Sequence, residues 1–145
     1  MKNSQKITRI HLSLNDQDIP VFLGLVSPDP DYKLSFRLNN KLNISLKNID
    51  PVTIQDEEGK YFQFSKFSDS RLAPDLIFQL ISNRMGKNYL LKKLTNIDYL
   101  LLIHDSEKNI RPENIISQIR EIESITGVFN IDSKTLKDKN LKYLI

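Results

Sequence analysis

Cysteine is absent from the 145 residues, and with it go disulfides, thiolate nucleophiles and sulfur-bound metal. A chain without thiols fits a reducing compartment, so a cytoplasmic location is expected. Tryptophan is also missing, histidine occurs twice and glycine four times. So few glycines provide no glycine-rich phosphate loop, and neither a nucleophile elbow nor the HExxH spacing of a zinc protease is present. No apolar run approaches the roughly 20 residues that cross a bilayer. Met1-Lys2-Asn3-Ser4-Gln5-Lys6 leads into alternating side chains instead of the apolar block of a secretion signal. Neither a membrane segment nor an export signal is therefore expected.

What is present is ordinary for one globular domain spanning residues 1–145: 39% hydrophobic, 27% charged, net charge +3. A chain of this length buries about two-thirds of its unfolded surface. The small positive excess follows from plentiful lysine and is no polyanion footprint unless the charges cluster.

Periodicity divides the chain into strands and two helices. Ile7–Leu14 alternates, with Ile10, Leu12 and Leu14 on one side and Arg9, His11 and Ser13 on the other, the pattern of a half-buried strand. The polar cluster Asn15-Asp16-Gln17-Asp18 turns it toward a second, more apolar strand at Val21–Val26. Ser27-Pro28-Asp29-Pro30 offers a helix start with Asp29 as N-cap and Pro30 in the first turn. Residues 32–38 alternate like a strand, but Leu34, Leu38 and Leu42 recur at helical spacing, and the cap and length favour a helix ended by a left-handed Asn43.

Asp56-Glu57-Glu58-Gly59 is a hairpin turn between Val52–Gln55 and Tyr61–Phe67. Its acids have no further ligand at metal spacing and read as a solvated turn. Leu76–Ser82 and Tyr99–Ile103 follow as strands joined through a basic stretch around Met85-Gly86-Lys87-Asn88. Pro112–Ile125 is the clearest helix, with a stripe of Ile115, Ile119 and Ile122 and Gly127 at its end. Val128–Ile131 returns as a strand, making a crossover unit, right-handed if its two strands are parallel neighbours. Leu141–Ile145 is an apolar end expected to dock on the sheet. The fold class is thus α+β: a largely antiparallel sheet of five to seven strands with two helices packed on one face.

Chemistry is thinly represented. His11 and His104 sit on separate strands, and the neighbours His104 and Asp105 point to opposite faces of theirs. No catalytic residue, cofactor or metal ligand is nominated, and only an active site distributed along the chain would escape this reading. Asp98-Tyr99 fits a strand entrance, with the carboxylate accepting backbone N–H groups and the ring packing while its hydroxyl stays wet. Arg84, Lys87, Lys92 and Lys93 are four cations with no acid between positions 83 and 97.

The segments Ser82-Asn83-Arg84, Asn88-Tyr89-Leu90-Leu91 and Ile97-Asp98-Tyr99-Leu100-Leu101-Leu102-Ile103 resemble the IPExxxVDY family, small proteins of Bacteroidetes-type bacteria with no assigned activity. Asp31-Tyr32-Lys33-Leu34, Leu38-Asn39, and Gly127-Val128 before Ile131-Asp132 are similar to that family's layout, so the resemblance covers nearly the whole chain. Leu91-Lys92-Lys93 stands where Ile-Pro-Glu is expected, whereas Ile97-Asp98-Tyr99 keeps the second half. The resemblance implies a bacterial cytoplasmic protein and supplies no mechanism.

A second resemblance is local. Val21-Phe22-Leu23-Gly24-Leu25 and Lys60–Phe67 are similar to the two aromatic motifs of RNA-recognition-motif domains, with Phe22, Phe62 and Phe64 as the base-stacking rings. Tyr61 and Gln63 replace the glycines of the longer motif, and Ser65 its valine. The principal expectation is a non-enzymatic protein-interaction or adaptor domain. Its contact surface is Arg84, Lys87, Lys92, Lys93, Asp98 and Tyr99, including the strand after Ile97, with a homodimer through an exposed edge strand as a further expectation. Nucleic-acid binding by the Phe22/Phe62/Phe64 face or the basic connector is the alternative.

Overall fold

The computed structural model describes residues 19–144. The expected strand at Ile7–Leu14, with His11, lies outside the described residues. The chain runs β1 (Val21–Val26), α1 (Asp31–Leu42), β2 (Lys47–Gln55), β3 (Tyr61–Leu72), β4 (Leu76–Ser82), β5 (Arg84–Met85), β6 (Asn88–Tyr89), β7 (Tyr99–Asp105), α2 (Pro112–Arg120), β8 (Gly127–Asn130) and a 3-10 helix at Lys139–Tyr143. Six strands form one sheet in the order β2-β3-β4-β7-β1-β8, every neighbouring pair antiparallel. The fold is α+β, with both helices on one face.

The helix-side core joins Leu34 and Leu38 of α1 to Ile115 and Ile119 of α2 over Leu23, Leu25, Leu80, Leu101 and Ile103 of the sheet. Residues four apart on a helix share a face, so each helix delivers its aliphatic stripe to alternate residues of the strands. Lys41 of α1 closes the outer seam with Glu121 at 2.6 Å.

Local signals were correct in kind and displaced at boundaries. The helix at 31–42 forms, and Asn43 ends it at φ 56°, with its N–H bonded to Asn39 O. The N-cap is Pro30, not Asp29. The Asp29 carboxylate is occupied instead by Arg37, whose Nε lies 3.1 Å away. Helix α2 stops at Arg120, short of Ile125. The chain tightens into successive turns there, Ile122 N to Ile119 O and Ile125 N to Ile122 O, which still bury both isoleucines. Strands β7 and β8 are not neighbours, because β1 lies between them and pairs with both. The β2–β3 hairpin closes as expected, with Gly59 at φ 83° and Asp56 Oδ1 accepting from the N–H groups of Glu58 and Lys60.

The second face of the sheet carries its own core. Strands β4 and β7 are antiparallel neighbours, yet the chain between them makes an excursion of residues 83–98 that folds back over the sheet. Leu90, Leu91 and Ile97 of this connector are buried against Phe22, Val52, Ile54, Phe64, Ile81, Leu100 and Leu102. The C-terminal segment docks alongside, with Leu144 buried and Leu141 packed at the margin. Gly24 makes room for this layer: a Cβ there would meet Ile97 Cδ1 at 2.9 Å and Ile131 Cδ1 at 3.0 Å.

Candidate functional site: the connector groove

The connector is shaped by one buried side chain. Asn83 is fully buried. Its Nδ2 donates to Leu94 O and Ile97 O, both at 2.9 Å, and its Oδ1 accepts from Leu91 N at 2.8 Å. Its backbone adds Asn83 N to Asp98 O at 2.9 Å and Leu90 N to Asn83 O at 2.7 Å. An amide has two donors and two acceptor sites, so this one residue satisfies polar backbone at several points of the loop. Asn140 ties down the same loop from the C-terminal side, its Nδ2 donating to Leu90 O at 2.7 Å.

Folded this way, the connector faces the β2–β3 hairpin across a groove of about 500 Å³. Ile54, Phe62 and Phe64 form an apolar floor, with Tyr89 and Asn140 beside it. Lys87 and Lys92 line one wall and Asp56, Glu57 and Glu58 the opposite one, while Lys139 bridges to Glu57 at 3.5 Å. Lys87 and Lys92 are exposed, and the Asp56 carboxylate is spent on its own turn.

The residues nominated from sequence divide into three groups. Lys87 and Lys92 reach the groove. Arg84 lies at the base of the connector, paired with Tyr89 across β5 and β6 and 3.4 Å from Asp98 Oδ1. Lys93 is exposed and is held through its backbone N–H, which donates to Asp138 Oδ2. The four cations are therefore not one continuous patch.

Asp98 and Tyr99 are not a contact surface. Asp98 Oδ2 accepts from Ser27 N at 3.0 Å, and Asp98 N donates to Leu25 O, which fastens the start of β7 to the end of β1. Tyr99 is buried, and its hydroxyl donates to Asp29 O instead of meeting water. Burial, helped by the charges of Asp31, Asp98 and Asp29, pushes the phenol up to about 12. The strand after Ile97 is excluded for the same reason. It is central in the sheet, and Tyr99 to Ile103 are all buried, with layers on both faces.

Phe22 and Phe64 are 1% and 0% exposed, enclosed under the connector and the C-terminal segment, and Phe62 is half-buried at the groove floor. A base cannot stack on rings already packed on both sides, so this face is not the platform that the RNA-recognition resemblance implied.

Among the described residues, His104 and Asp105 do not form a catalytic pair. His104 is half-buried on β7, and burial together with the Lys66 charge holds its imidazole below the ordinary value. Asp105 does not orient it, because Asp105 Oδ2 accepts from Ile110 N at 2.7 Å. Among the described residues no group of three or more His, Cys, Asp or Glu could hold a metal ion, and no helix is long and apolar enough to cross a membrane. Asn83 was the residue missed: it stood in the sequence only as part of a family motif. Its signal was a polar residue between a buried strand and a basic loop, which many surface turns share. Comparison with protein-family models, curated proteins and solved structures yields no match.

Proposed function

We propose that this chain is a non-enzymatic protein-interaction module that receives a loop or extended segment of a partner in the connector groove. The observation that carries the reading is the composition of that groove. An apolar floor of Ile54, Phe62 and Phe64 lies between walls of opposite charge, the arrangement of an apolar anchor site with a polar rim. The matching segment presents an apolar side chain flanked by an acid toward Lys87 and Lys92 and a base toward Glu58. The fixed connector favours this use, since a preformed site avoids the ordering cost that a flexible loop adds to binding.

The resemblance to the IPExxxVDY family supports a bacterial, cytoplasmic setting for such an adaptor and says nothing of its partner. Homodimerisation through a sheet edge has less support. Edge strand β2 carries Pro51 and a bulge between Ile49 and Val52, both of which interrupt edge pairing, and β8 is only four residues long.

The test is capture from native lysate by tagged protein, in parallel for the wild type, Lys87→Glu with Lys92→Glu, and Phe62→Ala. A stoichiometric protein partner that survives nuclease and is lost with the groove variants supports the proposal. A partner retained equally by the groove variants, or one released by nuclease, refutes it.

A further inference from the structure

Helix α1 sends Leu34 and Leu38 into the core and turns an aromatic ridge outward. Tyr32, Phe36 and Asn40 recur every four residues, so they share one face, and all three are exposed. The two rings are 69% and 63% exposed, although a ring on a solvated helix face has little to gain from water. Beside this ridge runs a groove of about 510 Å³ between α1 and the turns that follow α2. Lys33, Phe36 and Lys41 line it from α1, and Glu121, Ile122 and Glu123 from the other side.

The charges around the ridge are ordered. Arg37 and Lys41 are each engaged within the chain, by Asp29 and Glu121. Lys33 and Glu123 line the same groove and are exposed, yet neither has an ion-pair partner among the described residues. Along the helix, Asp31 lies in the first turn and Lys41 in the last. These two stand at equal distances on either side of Phe36, as do Lys33 and Asn39.

We propose that this ridge packs on the same ridge of a second copy of the chain, the two α1 helices running antiparallel about a two-fold axis at Phe36. A two-fold there makes the contact self-complementary. Asp31 of each copy comes level with Lys41 of the other, Tyr32 with Asn40, and Phe36 with Phe36. Lys33 comes level with Asn39, and Lys41, which holds Glu121, stands only about 3 Å further along the axis. Each end of the contact is then an alternating series, Asp31 to Lys41 to Glu121 to Lys33, with Asp31 and Lys33 from one copy and Lys41 and Glu121 from the other. The centre is apolar, with the exposed rings against each other. Antiparallel packing also sets each helix N-terminus beside the other's C-terminus, which favours the pair electrostatically. A polyanion or an anionic bilayer is the poorer occupant, because two of the three cations of α1 are already neutralised and two carboxylates line the groove. A 12-residue helix is about 18 Å long and its contact strip is about one helix diameter wide, well under the roughly 800 Å² per partner of a standard interface, so the dimer is a weak one. The ridge lies on the helix side of the sheet and does not depend on what the connector groove binds.

The experiment is sedimentation equilibrium of the full chain from about 5 to about 500 μM, a range in which a contact of this size should pass from monomer to dimer. Phe36→Asp, at an exposed position, should weaken association at least tenfold, roughly the loss of a central anchor. Lys33→Glu and Glu121→Lys each set like charges together at both ends and should weaken it about tenfold alone. An equimolar mixture of those two variants should dimerise again, because each copy then meets opposite charge at both ends. Lys87→Glu with Lys92→Glu, in the connector groove, should change nothing. If Glu121→Lys disturbs the fold by circular dichroism, Phe36→Asp and Lys33→Glu carry the test. A chain that is monomeric throughout, a dimer indifferent to Phe36→Asp, or a mixture of folded variants no tighter than either alone would overturn the proposal. In the first case, flotation with phosphatidylglycerol vesicles shows whether the ridge meets a bilayer instead.

Discussion

Replacing Asn83 is the sharpest test of how the groove is built. In Asn83→Ala, Leu94 O still accepts from Ile97 N, so it keeps a partner. Leu91 N and Ile97 O lose the partners that Asn83 gives them, inside a layer where Leu91 and Ile97 are buried. An orphaned buried polar group costs about 1–3 kcal/mol, so the two together cost about 2–6 kcal/mol. That is a large share of the roughly 5–15 kcal/mol that holds a domain of this size together. Asn83→Asp separates hydrogen bonding from volume. It keeps the acceptor for Leu91 N but turns a carboxylate oxygen toward two carbonyls that require a donor. Burial and those carbonyls raise its folded pKa above the unfolded value of about 3.9. Stability is then retained below that pH and lost as pH rises toward the folded pKa. Urea unfolding followed by circular dichroism, from pH about 4 to about 8, should show a constant penalty for Ala and a penalty for Asp that grows with pH. If Ala costs under about 1 kcal/mol, or the Asp penalty ignores pH, Asn83 does not organise the connector as argued.

Three other outcomes follow from the same geometry. Gly24→Ala forces a methyl against Ile97 and Ile131, and overpacking of this kind is expected to lower stability by about 1–3 kcal/mol in denaturant titration. Tyr99 should resist ionisation until about pH 12 when followed by ultraviolet absorbance; because its folded pKa lies above the ordinary 10.0, folding stability should fall as pH rises from 10 toward 12, and Tyr99→Phe should abolish that slope. The Arg71 guanidinium holds the Asp69 carboxyl down at about 2, so the stability this pair contributes is present above the ordinary carboxylate range and should be lost as pH falls from about 4 toward 2; Arg71→Gln should narrow that acid transition.

Elements whose cause is local could be read from the sequence, and those whose cause is an enclosing layer could not. The Asp56–Gly59 turn, the Asn43 terminus and the isoleucine stripe of α2 each rest on residues within one or two turns of one another, and all three formed. The aromatic pair Phe62 and Phe64 was correctly read as sharing a face. What lies above that face depends on residues 84–97 folding back, which no periodicity in β3 can encode. One error was avoidable. Leu100 to Ile103 is apolar at every position, without the alternation of a half-exposed strand, and such a run marks burial on both faces. Naming that strand as a contact region disregarded its own pattern. Asp98 was read correctly as accepting a backbone N–H at a strand entrance, but Tyr99 buries the hydroxyl expected to stay wet, and the pair failed as a surface because the partners that hold them, Ser27 N and Asp29 O, are some 70 residues away in the chain.

The connector groove has its origin in a long excursion between two neighbouring strands. Neighbouring antiparallel strands such as β4 and β7 need only a short turn between them, and a chain that spends residues 83–98 there must gain something from the excursion. One return is stability, since Leu90, Leu91 and Ile97 turn an open face into a second core. The other return is the groove itself, where the connector faces the acidic hairpin across the floor of Ile54, Phe62 and Phe64. Asn83 holds that wall through Leu91 N, Leu94 O and Ile97 O. Asn83→Ala should therefore weaken capture of a groove partner by loosening the wall, even where the sheet remains folded.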